Sequence, residues 1–159
     1  MSSIHLATPA DTERLGACLA RFLPVQPTVL YLEGDLGAGK TTTARALLHA
    51  LGVTGAVRSP TYTLVECYDT AYGAVAHLDL YRIADPEELE YLALDELAVG
   101  TRLWLVEWPQ RGQGALPAAD LELRLTLDGA SRQAQLHGRS QLGQDWAAAA
   151  LHAFDAAST

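Results

Sequence analysis

The stretch Gly34-Asp35-Leu36-Gly37-Ala38-Gly39-Lys40-Thr41 constrains this chain more than any other. It fits G-x-x-x-x-G-K-[ST], a loop whose glycines let backbone N–H groups converge on an anion with no side chain in the way. Its surroundings are those that such a loop requires. Val29–Leu32 is a short apolar run with β-branched and aromatic content, read as a buried strand, and Lys40–Leu51 reads as a helix stopped by Gly52. The helix adds its positive end to the point where the amides converge. Lys40 is the single lysine of the chain; every other basic residue is arginine. In a composition that otherwise avoids lysine, the one retained sits where it reaches β- and γ-phosphates, with the Thr41 hydroxyl placed for magnesium. A ligand-free turn is the competing reading, and it leaves the coincidence of loop, strand, helix and lone lysine unexplained. ATP and Mg2+ are therefore the expected ligands, and hydrolysis the expected reaction.

The rest of the chain reads as one α/β domain over residues 1–159 with a central mixed sheet flanked by helices, a P-loop NTPase architecture. Nearly half the residues (49 %) are apolar, enough for a sizeable core at this length. Ile4–Ala7 reads as a short strand. Thr8 is placed as an N-cap with Pro9 at the first helical position, Leu15, Cys18, Leu19 and Phe22 follow at helical spacing, and Pro24 ends that helix. Thr63–Tyr68 and Ala74–Asp79 flank a turn at Asp69–Gly73 as a hairpin. Asp85-Pro86-Glu87-Glu88 begins a helix expected to run to about Leu97. Leu103–Val106 is a second buried strand, Leu121–Leu127 and Gln133–His137 a second hairpin, and Ser140 the cap of a last helix and tail over about 140–159. Cys18 and Cys67 lie in no metal-like spacing and are expected to be reduced and buried. No basic leader and no apolar run of membrane-spanning length is present, so a cytoplasmic protein with no membrane contact is expected.

A P-loop needs an acid at the end of a neighbouring strand to hold the metal or its water. Leu103-Trp104-Leu105-Val106-Glu107 ends cleanly in one, and Ala76-His77-Leu78-Asp79 supplies another. Ser59-Pro60-Thr61-Tyr62-Thr63 lies between the P-loop helix and the first hairpin; its hydroxyls suit a switch loop, and equally an ordinary turn around a rigid proline. Trp108 leaves its strand at the end where open α/β sheets bind ligands, either to stack on a base or as a partly buried core residue. The acids of Glu87–Glu96 suit a solvated face or a partner-binding one.

Taken together these blocks resemble the TsaE (YjeE) family, bacterial ATPases needed to make threonylcarbamoyladenosine in tRNA. The resemblance is carried in order by Leu32–Thr42, Ser59–Glu66, His77-Leu78-Asp79-Leu80-Tyr81-Arg82, Pro86–Glu90 and Val106-Glu107-Trp108-Pro109. It implies that Thr41 and Glu107 hold magnesium and that Gly37, Ala38, Gly39, Lys40, Thr41 and Thr42 surround the phosphates. It further implies that Asp79 and Thr61 occupy the hydrolysis and switch positions, and that Thr12, Trp108, Arg111 and Arg132 meet the nucleotide. The implied activity is weak for the isolated chain, and the implied partner is a complex of the TsaD–TsaB type.

Charge agrees with that division of labour. Lys plus Arg is 11 against 19 Asp plus Glu, a formal charge of −8, whereas a chain that grips nucleic acid unaided needs a positive surface. Contact with tRNA is expected only through the partners. A GTPase is disfavoured because its guanine-reading motif needs asparagine, and the chain has none. A small-molecule kinase on the same loop, and a non-catalytic module that switches assembly with nucleotide, remain as alternatives.

Overall fold

A computed structural model describes residues 2–157; Met1 and the last two residues of the expected C-terminal tail lie outside the described residues. All seven strands join one sheet in the order β1-β7-β6-β2-β5-β4-β3. The strands are β1 (Ser2–Leu6), β2 (Thr28–Glu33), β3 (Val65–Thr70), β4 (Gly73–Asp79), β5 (Thr101–Glu107), β6 (Leu121–Asp128) and β7 (Ser131–Gly138). The inner strands β6, β2, β5 and β4 run parallel, while β1, β7 and β3 add antiparallel pairs at the two sides. This is the mixed central sheet expected from the sequence.

Helices α1 (Pro9–Arg21), α2 (Lys40–Ala50) and α4 (Gln141–Ala157) pack beside the sheet. Strand alternation decides which residues meet them. Leu30 and Leu32 of β2, Leu103 and Leu105 of β5, and Leu121, Leu123 and Leu125 of β6 share one buried cluster with α1, α2 and α4. The opposite-facing Val29, Ala76, Leu78, Trp104 and Val106 form a second cluster with Leu80, Ile83 and Leu89. Because β2 and β5 are covered on both faces, they read in sequence as continuous apolar runs. Among the described residues no helix is long and apolar enough to cross a membrane.

The helix caps are where the sequence placed them. Thr8 and Asp11 form a reciprocal capping box at the start of α1, with Pro9 next in line. Ser140 accepts the Gly143 N–H through its hydroxyl at 3.1 Å and donates to Asp120 Oδ1 at 2.8 Å. Gly143 itself sits so close to the Asp120 carbonyl that an added Cβ would overlap it. That carbonyl cannot retreat, since it accepts from Arg139 while the Asp120 N–H donates to Val29 of β2. Gly143→Ala should therefore destabilise the protein: overpacking against backbone costs about 3 kcal/mol, and alanine's helix preference returns only about 1 kcal/mol. A urea midpoint equal to wild type would contradict this.

Three expectations need correction. The helix expected over 85–97 is broken into a 3-10 helix, Pro86–Leu92, and a short α3, Leu94–Ala98, by Ala93 at φ 50°. Leu92 and Leu94 are two residues apart and cannot share one face of a continuous helix; the break lets both pack on the second cluster with Leu89 and Leu97. Cys67 is exposed rather than buried, because β3 is the outer strand of the sheet; Cys18 is buried, and both thiols are free. The first hairpin is tighter than expected: Thr70 pairs with Gly73, so the turn is Ala71-Tyr72, and Gly73 opens β4 at φ 118°.

Candidate functional site

The loop after β2 turns on three glycines in conformations that side-chain-bearing residues avoid: Gly34 at φ 147°, Gly37 at 80° and Gly39 at 111°. Gly39 is the N-cap of α2 and brings no side chain to it, so no side chain caps the first N–H groups of that helix, an arrangement suited to an anion. A Cβ on Gly39 would lie 3.3 Å from Arg132 Nε and 3.4 Å from Thr12 Cγ2. Thr12 from α1 and Arg132 from the start of β7 thus close on the loop from two distant parts of the chain. Arg132 donates to the Gly37 carbonyl at 3.2 Å. The Arg132 Nε and the Thr12 hydroxyl are buried and meet no hydrogen-bond partner among the described residues. Buried polar atoms seldom go unpaired, and these two border the glycine loop, as residues that complete a nucleotide site would.

Lys40 is 5 % exposed and donates to the carbonyls of Gly34 at 2.6 Å and Asp35 at 2.8 Å. Burial pushes its ammonium below the usual lysine range, against the pull of Glu107, Asp79 and Asp35. Its Nζ stands 4.5 Å from the centre of the Trp108 ring. The ring therefore borders the cleft beside the lysine.

The two acids arrive by register. Asp79 of β4 is opposite Glu107 of β5, and both face α2. The Thr41 hydroxyl lies 2.9 Å from Glu107 Oε1 and 3.1 Å from Oε2. Asp79 Oδ2 accepts from Ser59 at 2.6 Å and Thr61 at 3.3 Å, and Oδ1 accepts the Tyr81 N–H at 3.1 Å. Leu64, at φ 67°, carries the chain from the 59–63 segment back to the strand end, its carbonyl accepting the Asp79 N–H. The hydroxyls read as switch candidates are thus held on the acid read as catalytic.

Lys40, Thr41, Thr42, Thr61, Asp79, Glu107 and Trp108 line one cleft of about 290 Å3 with Gly37 and Gly39. A larger cavity of about 450 Å3 opens beside it along Glu33, Asp35 and Arg124. It lacks Lys40 and the start of α2, whereas the smaller cleft has both, so the smaller cleft is the one suited to phosphate. Ala38 is fully buried under the loop, with its N–H turned to Asp35. Arg111 stands at the rim, donating to Ile83 and lying 5.5 and 5.6 Å from the Tyr81 and Trp108 rings. Among the described residues no group of three or more His, Cys, Asp or Glu side chains forms a metal cage. Magnesium characteristically keeps water and phosphate ligands and takes only one or two from protein, which Thr41 and Glu107 suit.

Sequence reading missed two residues. His77 is fully buried with Nε2 2.7 Å from Glu107 Oε2, and Tyr81 packs its ring 5.1 Å from Trp108. The available signal for His77 was its spacing: two residues before Asp79, it must share that face of the strand.

Strand, glycine loop and helix, with paired acids on the neighbouring strand ends, define a P-loop protein. A family model described as "Threonylcarbamoyl adenosine biosynthesis protein TsaE" matches residues 6–135. This interval contains every site residue discussed above. The chain belongs to the TsaE family. It is 44 % identical over 117 residues to the tRNA threonylcarbamoyladenosine biosynthesis protein TsaE of Haemophilus influenzae, covering 74 % of each chain. It is 40 % identical over 116 residues to that of Bacillus subtilis, covering 72 % of this chain and 71 % of the relative. The fold matches the crystal structure of Bacillus subtilis YdiB with a TM-score of 0.79 and 26 % identity, over 95 % of this chain and 94 % of that one.

Proposed function

We propose that the protein binds ATP with Mg2+ in the β2–α2 cleft and hydrolyses it, as the ATPase subunit required for threonylcarbamoyladenosine modification of tRNA beside the anticodon. In this reading it works in the cytoplasm with a TsaD–TsaB-type complex, and tRNA is met only through those partners. One observation carries the ATP reading: the single lysine of the chain is buried on two loop carbonyls beside a matched pair of carboxylates.

Each residue then has a task. Lys40 exchanges the carbonyls of Gly34 and Asp35 for phosphate oxygens, which also relieves the burial of its charge. The free N–H groups at the start of α2 orient the same oxygens. Thr41 and Glu107 would hold magnesium, which supplies charge neutralisation at the phosphates. Asp79 uses three of about four acceptor positions on Ser59, Thr61 and Tyr81, leaving one to orient a water. Thr12, Arg111 and Arg132 contact the remainder of the nucleotide. Most of the catalysis is positioning and electrostatics.

Phosphate release by the purified chain tests this, with and without candidate partner chains. We expect slow release to water, abolished by EDTA and raised by the complex. Transfer to a small-molecule acceptor in a substrate screen would favour a kinase instead. Absence of any heat with ATP and Mg2+ on the folded protein would overturn the proposal.

A further inference from the structure

One buried group beside the cleft has no part in the chemistry above. His77 lies on β4 with no exposed surface, on the face that packs against α2. Its opposite number in register is Leu105, and its ring reaches past that residue to the Glu107 carboxylate, 2.7 Å away. Glu107 is itself only 2 % exposed. Its other protein partner is the Thr41 hydroxyl, 2.9 and 3.1 Å from the two oxygens. A hydroxyl carries one proton and satisfies one of them at a time. Held by Thr41 alone, the carboxylate is free to pivot.

The imidazole removes that freedom. Its Nδ1 meets no partner among the described residues. An orphaned N–H is the costlier way to leave that atom, so the ring is assigned as the neutral Nε2–H tautomer. The Nε2–H then donates to Oε2 and leaves Oε1 for the cleft. Packing does not account for a histidine here: a buried polar ring with an unmet atom costs stability that an aliphatic side chain would not.

We infer that His77 is a positioning residue that fixes the Glu107 carboxylate for magnesium, a role that rests on the Mg–ATP reading of the cleft. Partners behind a metal ligand commonly change metal affinity by about 10–100-fold. The test is a magnesium titration of the full chain with a non-hydrolysable ATP analogue, followed by calorimetry. In EDTA, analogue binding by His77→Leu, His77→Asn and His77→Gln should stay near that of wild type. The magnesium midpoint should rise about tenfold in the leucine and asparagine variants. It should return most of the way in His77→Gln, whose amide N–H takes the place of Nε2–H, a position that asparagine is too short to reach. Equal midpoints in all variants, or a rise in His77→Gln as large as in His77→Asn, would overturn the assignment. If His77→Leu does not fold, the glutamine–asparagine comparison still decides. A wild-type chain indifferent to magnesium would instead overturn the reading of the cleft itself, and this role with it.

Discussion

Replacing Lys40 by alanine should lower the rate of ATP hydrolysis by about a hundredfold or more, the loss typical of one charge-stabilising donor in a water-poor site. Position is the reason. Lys40 is 5 % exposed, its ammonium is held by two carbonyls of the loop, and it is the single lysine of the chain. Its removal takes away the loop's own cation, the one that the proposed mechanism sets against the charge growing on the phosphoryl group. The fold should tolerate the change. Alanine surrenders two hydrogen bonds, but it also ends the cost of keeping a charge out of water. Phosphate release and thermal melting on the same preparation separate the two effects. Near-normal turnover would refute the role, and a collapsed melting curve would leave the rate uninterpretable, in which case Lys40→Met, closer in volume, takes its place.

Asp79→Asn should separate binding from chemistry. The carboxylate lies in the cleft with Lys40, yet its hydrogen bonds go to Ser59, Thr61 and Tyr81. Asparagine keeps the shape and one acceptor oxygen, so the 59–61 segment should stay in place. What is lost is a full negative charge where the proposed mechanism puts the attacking water. A positioned base is worth about 100–10,000-fold, so turnover should fall by about a hundredfold while ATP affinity changes by less than about threefold. The pair of measurements is decisive: unchanged turnover removes Asp79 from the chemistry, and a parallel loss of affinity makes it a binding residue.

The legible parts of this molecule are those whose cause is local. The glycine loop, the Thr8 cap and the Ser140 cap each depend on residues a few positions apart, and all three are legible in the sequence; the Asp11 half of the box at Thr8 is not read there. Asp79 and Glu107 were legible as strand ends, though their side-by-side register was not. That register depends on how β4 sits on β5, including an irregularity between Ala74 and Val75 that no local pattern announces. The break at Ala93 was hidden for a related reason. Alanine is a strong helix former, and only the demand of Leu92 and Leu94 for the same apolar cluster turns the chain there. His77 went unread because its partner is thirty residues away on the next strand.

Trp108 adopts φ 57° and ψ 50°, a conformation costing an L-residue about 1–2 kcal/mol. The kink leaves its indole half-exposed at the mouth of the cleft, while Trp104 and Trp146 are 4 % and 2 % exposed. In the proposed binding of ATP, Lys40 would move to a phosphate and the indole would lose the cation beside it, while Trp104 and Trp146 would keep their buried surroundings. On that proposal the molecule would carry its own optical gauge of occupancy: near-ultraviolet emission should follow nucleotide arrival and departure in real time without a label.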